Sequence, residues 1–335
     1  MIFRRPRNTN GFSSTFPGPA LGIGAFFPRP AENSVGDGPG PPAIRARTDQ
    51  TRTMDSTEPR FTHLEDFSED ILAKAQNGLR ITNRDLADRT GLDLPTIKDL
   101  KAGGAAEEPL RKAAEALGLH PERLRQAARR EWLPEPTQVA GLRTFVSEFG
   151  PMSVNAYLLE AADGSAVLFD TGVEAPPILE AIAGSRLSLA AIVLTHGHPD
   201  HVGALAEIVA DRPGVPVYAH PEEKVADARP VEWDQSFRAG PFPLRALATP
   251  GHTPGGTSFL VEGREPPLCF VGDALFAGSV GGCAADYERA LRLVRDNLLA
   301  LPGETVLCPG HGPRTTVREE REHNPFFPGT DPARA

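Results

Sequence analysis

The chain has 335 residues, enough for more than one domain, and with 40% hydrophobic and 24% charged residues it can build globular cores. A net charge of -9 argues against a generally nucleic-acid-binding surface. No apolar run approaches the roughly 18 residues of a membrane span, and three widely spaced cysteines, Cys269, Cys283 and Cys308, do not form a disulfide framework, so a cytoplasmic protein is expected.

Residues 1–57 are rich in Gly and Pro, as between Gly36 and Pro42, and show no lasting apolar period. Such a segment cannot bury enough surface to offset its ordering entropy. It is expected to be a disordered or non-native extension, with Met54 as the native start.

Residues 62–133 predict a small all-α domain. Ile71, Leu79, Leu86, Leu92, Ile97 and Leu100 mark successive short helices, and residues 81–92 supply a capped helix followed by a Gly turn. Residues 93–101 make the next helix, with Pro95 tolerated in its first turn. This pattern resembles the helix-turn-helix domain of phage-repressor-like regulators over roughly 60 residues. The resemblance implies DNA binding near Pro95–Lys101, against packing or oligomerisation as the alternative. Acidic and basic residues nearly balance here, which gives DNA only a weak electrostatic footprint. A linker is expected around Pro134 and Pro136.

Residues 138–328 alternate strands and helices. Strands are predicted at 154–159, 166–169 and 189–194, then at 215–219, 244–248, 257–261, 268–271 and 305–308. Helices are predicted near 177–182, at 202–210 and at 286–301, the last with Leu291, Val294, Leu298 and Leu301 at helical spacing. The result is a layered α/β domain.

The run Thr195-His-Gly-His-Pro-Asp-His201 follows a buried strand. Three imidazoles and a carboxylate this close call for a shared partner, and a divalent metal fits them best. In an extended segment His196 and His198 share a side. Further metal-type residues sit in Gly-rich loops after other strands: Asp170, His252, Asp273 and His311. His63, His120, His220 and His323 read as structural or surface residues, and Cys269 and Cys308 as core.

Taken in order, these segments resemble the five motifs of the metallo-β-lactamase superfamily, across residues 140–328. The resemblance implies a four-layer αββα sandwich preceded by the small all-α domain. It implies two divalent metals, zinc first, with iron or manganese as alternatives. His196, His198 and His252 would hold one; Asp200, His201 and His311 the other. Asp273 would bridge them, and Asp170 would orient a ligand imidazole from behind. Asp200 and Asp273 are the candidate catalytic carboxylates, and hydrolysis by a metal-bridging hydroxide is implied. Residues 272–281, 309–316 and 319–327 are similar to the glyoxalase II branch, the hydroxyacylglutathione hydrolases, which implies a small-molecule thioester substrate, possibly glutathione-derived. Gly282 and Cys283 stand where relatives carry Arg and Thr or Ser. The alternatives are a persulfide dioxygenase-like enzyme with one iron, and a regulator in which the metal domain controls a DNA-binding helical domain.

Overall fold

The computed structural model describes residues 58–283 and 285–330. The expected extension 1–57 and the Met54 start lie outside them.

Five short helices come first: α1 Ser68–Leu79, α2 Asn83–Thr90, α3 Leu94–Leu100, α4 Glu107–Ala116 and α5 Pro121–Arg129. Their ends follow local chemistry. Thr82 and Asp85 form a reciprocal capping box on α2, Gly91 ends it in the left-handed region, and the Asp93 side chain caps α3.

Strands β1 Leu142–Phe149, β2 Met152–Glu160 and β3 Ser165–Phe169 follow, then α6 Pro176–Gly184, β4 Ser188–Val193, α7 Pro199–Val202, α8 Leu205–Asp211, β5 Val217–Ala219 and β6 Arg229–Pro230. These six strands form one sheet in sequential order. The second sheet runs β12-β11-β10-β9-β8-β7, from β7 Ser236–Ala239, β8 Phe242–Ala248, β9 Thr257–Val261, β10 Leu268–Gly272, β11 Val306–Pro309 and β12 Thr315–Thr316. Helix α9 Tyr287–Asn297 precedes β11, and α10 Val317–His323 follows β12.

The expected helix 202–210 is interrupted: Ala204 N–H donates to Gly172 O at 3.0 Å, and the helix restarts as α8. Strand β1 was not predicted because its burial does not alternate, and Val146 and Phe149 stay exposed.

The two sheets face each other across an apolar layer in which Phe169 stacks on Phe270 at 3.6 Å between ring centroids. Helices α6 to α8 cover the outer face of the first sheet. Helices α9 and α10 cover the second, and α1 to α5 share their hydrophobic cluster. The protein is therefore an αββα sandwich whose helical segment merges with one outer layer. The contact is close: Arg123 donates to the Asn324 and Phe327 carbonyls, and a side chain at Gly78 of α1 would meet the Tyr287 ring of α9 at 2.3 Å. No helix among the described residues is long and apolar enough to cross a membrane.

Candidate metal centre

Strands β3 and β4 run parallel, as do β10 and β11, so their C-terminal ends collect at one edge of the sandwich. Asp170 follows β3, His196 to His201 follow β4, Asp273 follows β10 and His311 follows β11. His252 comes from the loop between β8 and β9. The structure brings all eight predicted residues together.

Two ligand trios emerge, each with its donor atoms within 4.8 Å: His196, His198 and His252, and Asp200, His201 and His311. Asp273 touches both, with one oxygen 3.3 Å from His201 Nε2 and the other 3.3 Å from both His252 Nε2 and His311 Nε2.

The ring orientations are fixed from behind. Asp170 accepts the Thr195 amide and hydroxyl, each at 2.7 Å, and His201 Nδ1–H at 2.8 Å. With its proton given to Asp170, the Thr195 hydroxyl becomes the acceptor for His196 Nδ1–H at 3.1 Å. His252 Nδ1–H donates to Gly282 O at 3.0 Å, and His311 Nδ1–H to Ser153 O at 2.6 Å. Four imidazoles thus present Nε2 lone pairs to one space. His198 differs: its Nδ1 faces His252 Nε2 at 2.9 Å. Asp170 also lies near His196 and His201, but its oxygens are taken by these donors, so it orients rather than ligates. Its φ of +52 puts it in the left-handed region, which Asp tolerates better than most residues.

This donor set fits a cation. His196 Nε2, His201 Nε2 and Asp273 Oδ1 are buried without a hydrogen-bond partner, an arrangement that is costly unless something charged satisfies them. Without metal, burial and the neighbouring His201 charge hold His196 well below the usual imidazole range. Burial also opposes charge on His201 and His311, yet the surrounding carboxylates outweigh it. Asp273 and Asp170 push His201 up to about 10, while hydrogen bonds to Asp200 and Asp273 push His311 up to about 11. Burial opposes charge on Asp200 too, but His311 and His201 bring it down to about 2. The site thus demands positive charge, and a divalent metal can supply it in place of protons.

Three of the remaining histidines make local contacts. His220 caps a turn and stacks on Trp233, His120 caps α5, and His323 stacks on Trp132. Cys269 and Cys308 are buried in strands. Cys283 is buried beside the centre, in the wall of a narrow cleft that also touches His252, Asp273, Val280, Tyr287 and Leu291.

Residues 149–311 match the Metallo-beta-lactamase superfamily. The Bacillus subtilis protein "Probable metallo-hydrolase YqgX" is 38% identical over 204 residues, covering 54% of this chain and 95% of YqgX. The chain belongs to the metallo-beta-lactamase superfamily. Another relative, "Hydroxyacylglutathione hydrolase GloC" of Haemophilus influenzae, is 29% identical over 198 residues, covering 52% of this chain and 92% of GloC. Among solved structures, ETHE1 from Myxococcus xanthus is 30% identical, covers 54% of this chain and 83% of its own, and superposes with a TM-score of 0.46. The superfamily match begins after the helical segment.

Sequence reading named Asp170 but missed the other groups that aim the rings. The Ser153 and Gly282 carbonyls carry no side-chain signal. Thr195 was visible in the motif, but its role depends on Asp170 lying beneath it.

Proposed function

We propose that this protein is a dinuclear metal-dependent hydrolase acting on thioesters, with zinc the first candidate metal. The observation that carries this reading is the convergence of four Nε2 lone pairs, His198 Nδ1, Asp200 and Asp273 on one space at the edge of the sandwich. His196, His198 and His252 would hold one metal, Asp200, His201 and His311 the other, and Asp273 would bridge them. Bound metal would supply an acidified water at neutral pH and positive charge for a developing oxyanion.

The chain's own residues supply position. Asp170, Thr195, and the Gly282 and Ser153 carbonyls fix the tautomers before substrate arrives. Asp200 and Asp273 would help hold the metals and the water they carry. Water adds to the thioester carbonyl, the C–S bond breaks, and a carboxylic acid and a thiol leave. The similarity to GloC supports a glutathione thioester as the first substrate to test.

Purified protein should contain about two equivalents of metal and hydrolyse S-lactoylglutathione, with activity lost in His198→Ala. One iron per chain with thiol-dependent oxygen uptake would instead identify a persulfide dioxygenase-like enzyme and overturn the proposal.

A further inference from the structure

One carboxylate outside the ligand set grips both loops that carry His196, His198 and His252. Glu223 ends a short 3-10 turn, Pro221–Glu223, after β5. Its Oε2 accepts the Gly197 N–H at 2.6 Å. Its Oε1 accepts the Thr253 hydroxyl at 2.6 Å and the Gly255 N–H at 2.8 Å. Gly197 lies between His196 and His198, and Thr253 directly follows His252.

The surroundings are shaped for this approach. A Cβ at Gly255 would lie 2.8 Å from Glu223 Oε1, and one at Gly197 would lie 2.8 Å from the Glu223 carbonyl and 3.3 Å from Oε2. Glycine at both positions is therefore explained by the carboxylate lying between the loops. Hydrogen bonds to a carboxylate are stronger than neutral ones and can fix two backbones at once.

We propose that Glu223 is a positioning residue that sets the spacing of His196, His198 and His252, and so controls affinity for the metal they hold. This rests on reading those three histidines as one metal's ligands. The other trio is oriented by Asp170 and Ser153, with no contact to Glu223. The effect should therefore fall on one metal of the two.

Metal-stripped wild type and Glu223→Ala can be titrated with zinc against a chromophoric chelator, with thermal midpoints recorded for both metal-free proteins. One equivalent should bind about 10–100-fold more weakly in the variant while the other keeps its affinity. Glu223→Gln is the second variant. Its amide oxygen can still accept from Gly197 and its NH2 can donate to Thr253, but Gly255 loses its acceptor, so an intermediate loss is expected. It also serves if the alanine variant does not fold. Unchanged affinities, or a parallel fall in both with a lower metal-free midpoint, would overturn the assignment. A wild type that binds one equivalent would count against the dinuclear reading instead. The Glu223 assignment would then stand if that single affinity falls in the variant and fail if it does not.

Discussion

The two halves of the candidate metal centre are held in part by different regions of the molecule. His201 and His311 are almost fully buried, and their rings are aimed by Asp170 at the end of β3 and by the Ser153 carbonyl in β2. Both supports belong to the first sheet. His252 keeps 22% of its side chain exposed and is aimed by the carbonyl of Gly282, in the loop after β10. That loop is held from outside the sheets. Lys74 of α1 donates to Val280 O, Asn324 to Ser279 O, and the Gly278 amide donates to Glu320 of α10. The inner half is thus built into the sandwich. Within the outer half, His196 shares the inner support through Thr195 and Asp170, whereas His252 depends on the helical layer, to which the N-terminal helices contribute.

The largest effect should come from breaking the inner half. Asp170→Ala leaves the Thr195 amide, the Thr195 hydroxyl and His201 Nδ1–H without their buried acceptor. The expected loss is about 3–5 kcal/mol of stability with a roughly 10–100-fold weaker metal. Thermal denaturation and zinc titration check this. A variant with an unchanged midpoint and unchanged metal affinity would show that the sheet does not hold this half.

The same division explains what was legible in the sequence. The candidate ligands were readable because each is a side chain of distinctive chemistry in a Gly-rich loop after an apolar strand, as in Val271-Gly-Asp273 and Pro309-Gly-His311. The sandwich was readable from its buried strands, including 257–261, whose bounds agree with β9. Less could be read of what orients the ligands. Ser153 and Gly282 act through backbone carbonyls, and Glu223 acts across 26 and 30 residues of sequence. Short or edge elements such as β6 and β12, two residues each, are set by pairing partners rather than by periodicity. The merging of the helical segment with α9 and α10 was equally hidden, because an amphipathic helix does not reveal which surface it covers.

A smaller effect, on the outer half, should appear as pH dependence. Glu320 is fully buried, and burial pushes its carboxyl up to about 8 despite hydrogen bonds from Asn324, Thr315 and Gly278. A folded-state value above the unfolded one means the folded protein binds the extra proton. The stabilisation is complete below the ordinary carboxylate value of 4.5 and is lost as pH rises through about 8. Glu320→Gln has no such titration. The wild type's stability should therefore fall relative to the variant's between pH 5 and pH 9, by an amount on the order of a few kcal/mol, read as a lower thermal midpoint. Parallel curves for the two proteins would remove Glu320 as a titrating tether of the loop.

The smallest effect tests whether the helical segment belongs to the outer half, and its sign decides the matter. Gly78 lies in the last turn of α1, where alanine would ordinarily stabilise the helix by about 0.5–1 kcal/mol. Here the added Cβ would lie 2.3–2.8 Å from three carbons of the Tyr287 ring, too close to be accommodated without a shift. Tyr287 is 8% exposed and lines the cleft beside His252, so its ring has little room to yield without altering that cleft. Gly78→Ala should therefore destabilise by about 1–3 kcal/mol. In a Tyr287→Leu background the ring is gone, and the same substitution should become neutral or stabilising. A stabilising Gly78→Ala in the wild-type background would mean that α1 packs loosely on α9, and that the helical segment does not support the cleft through this contact.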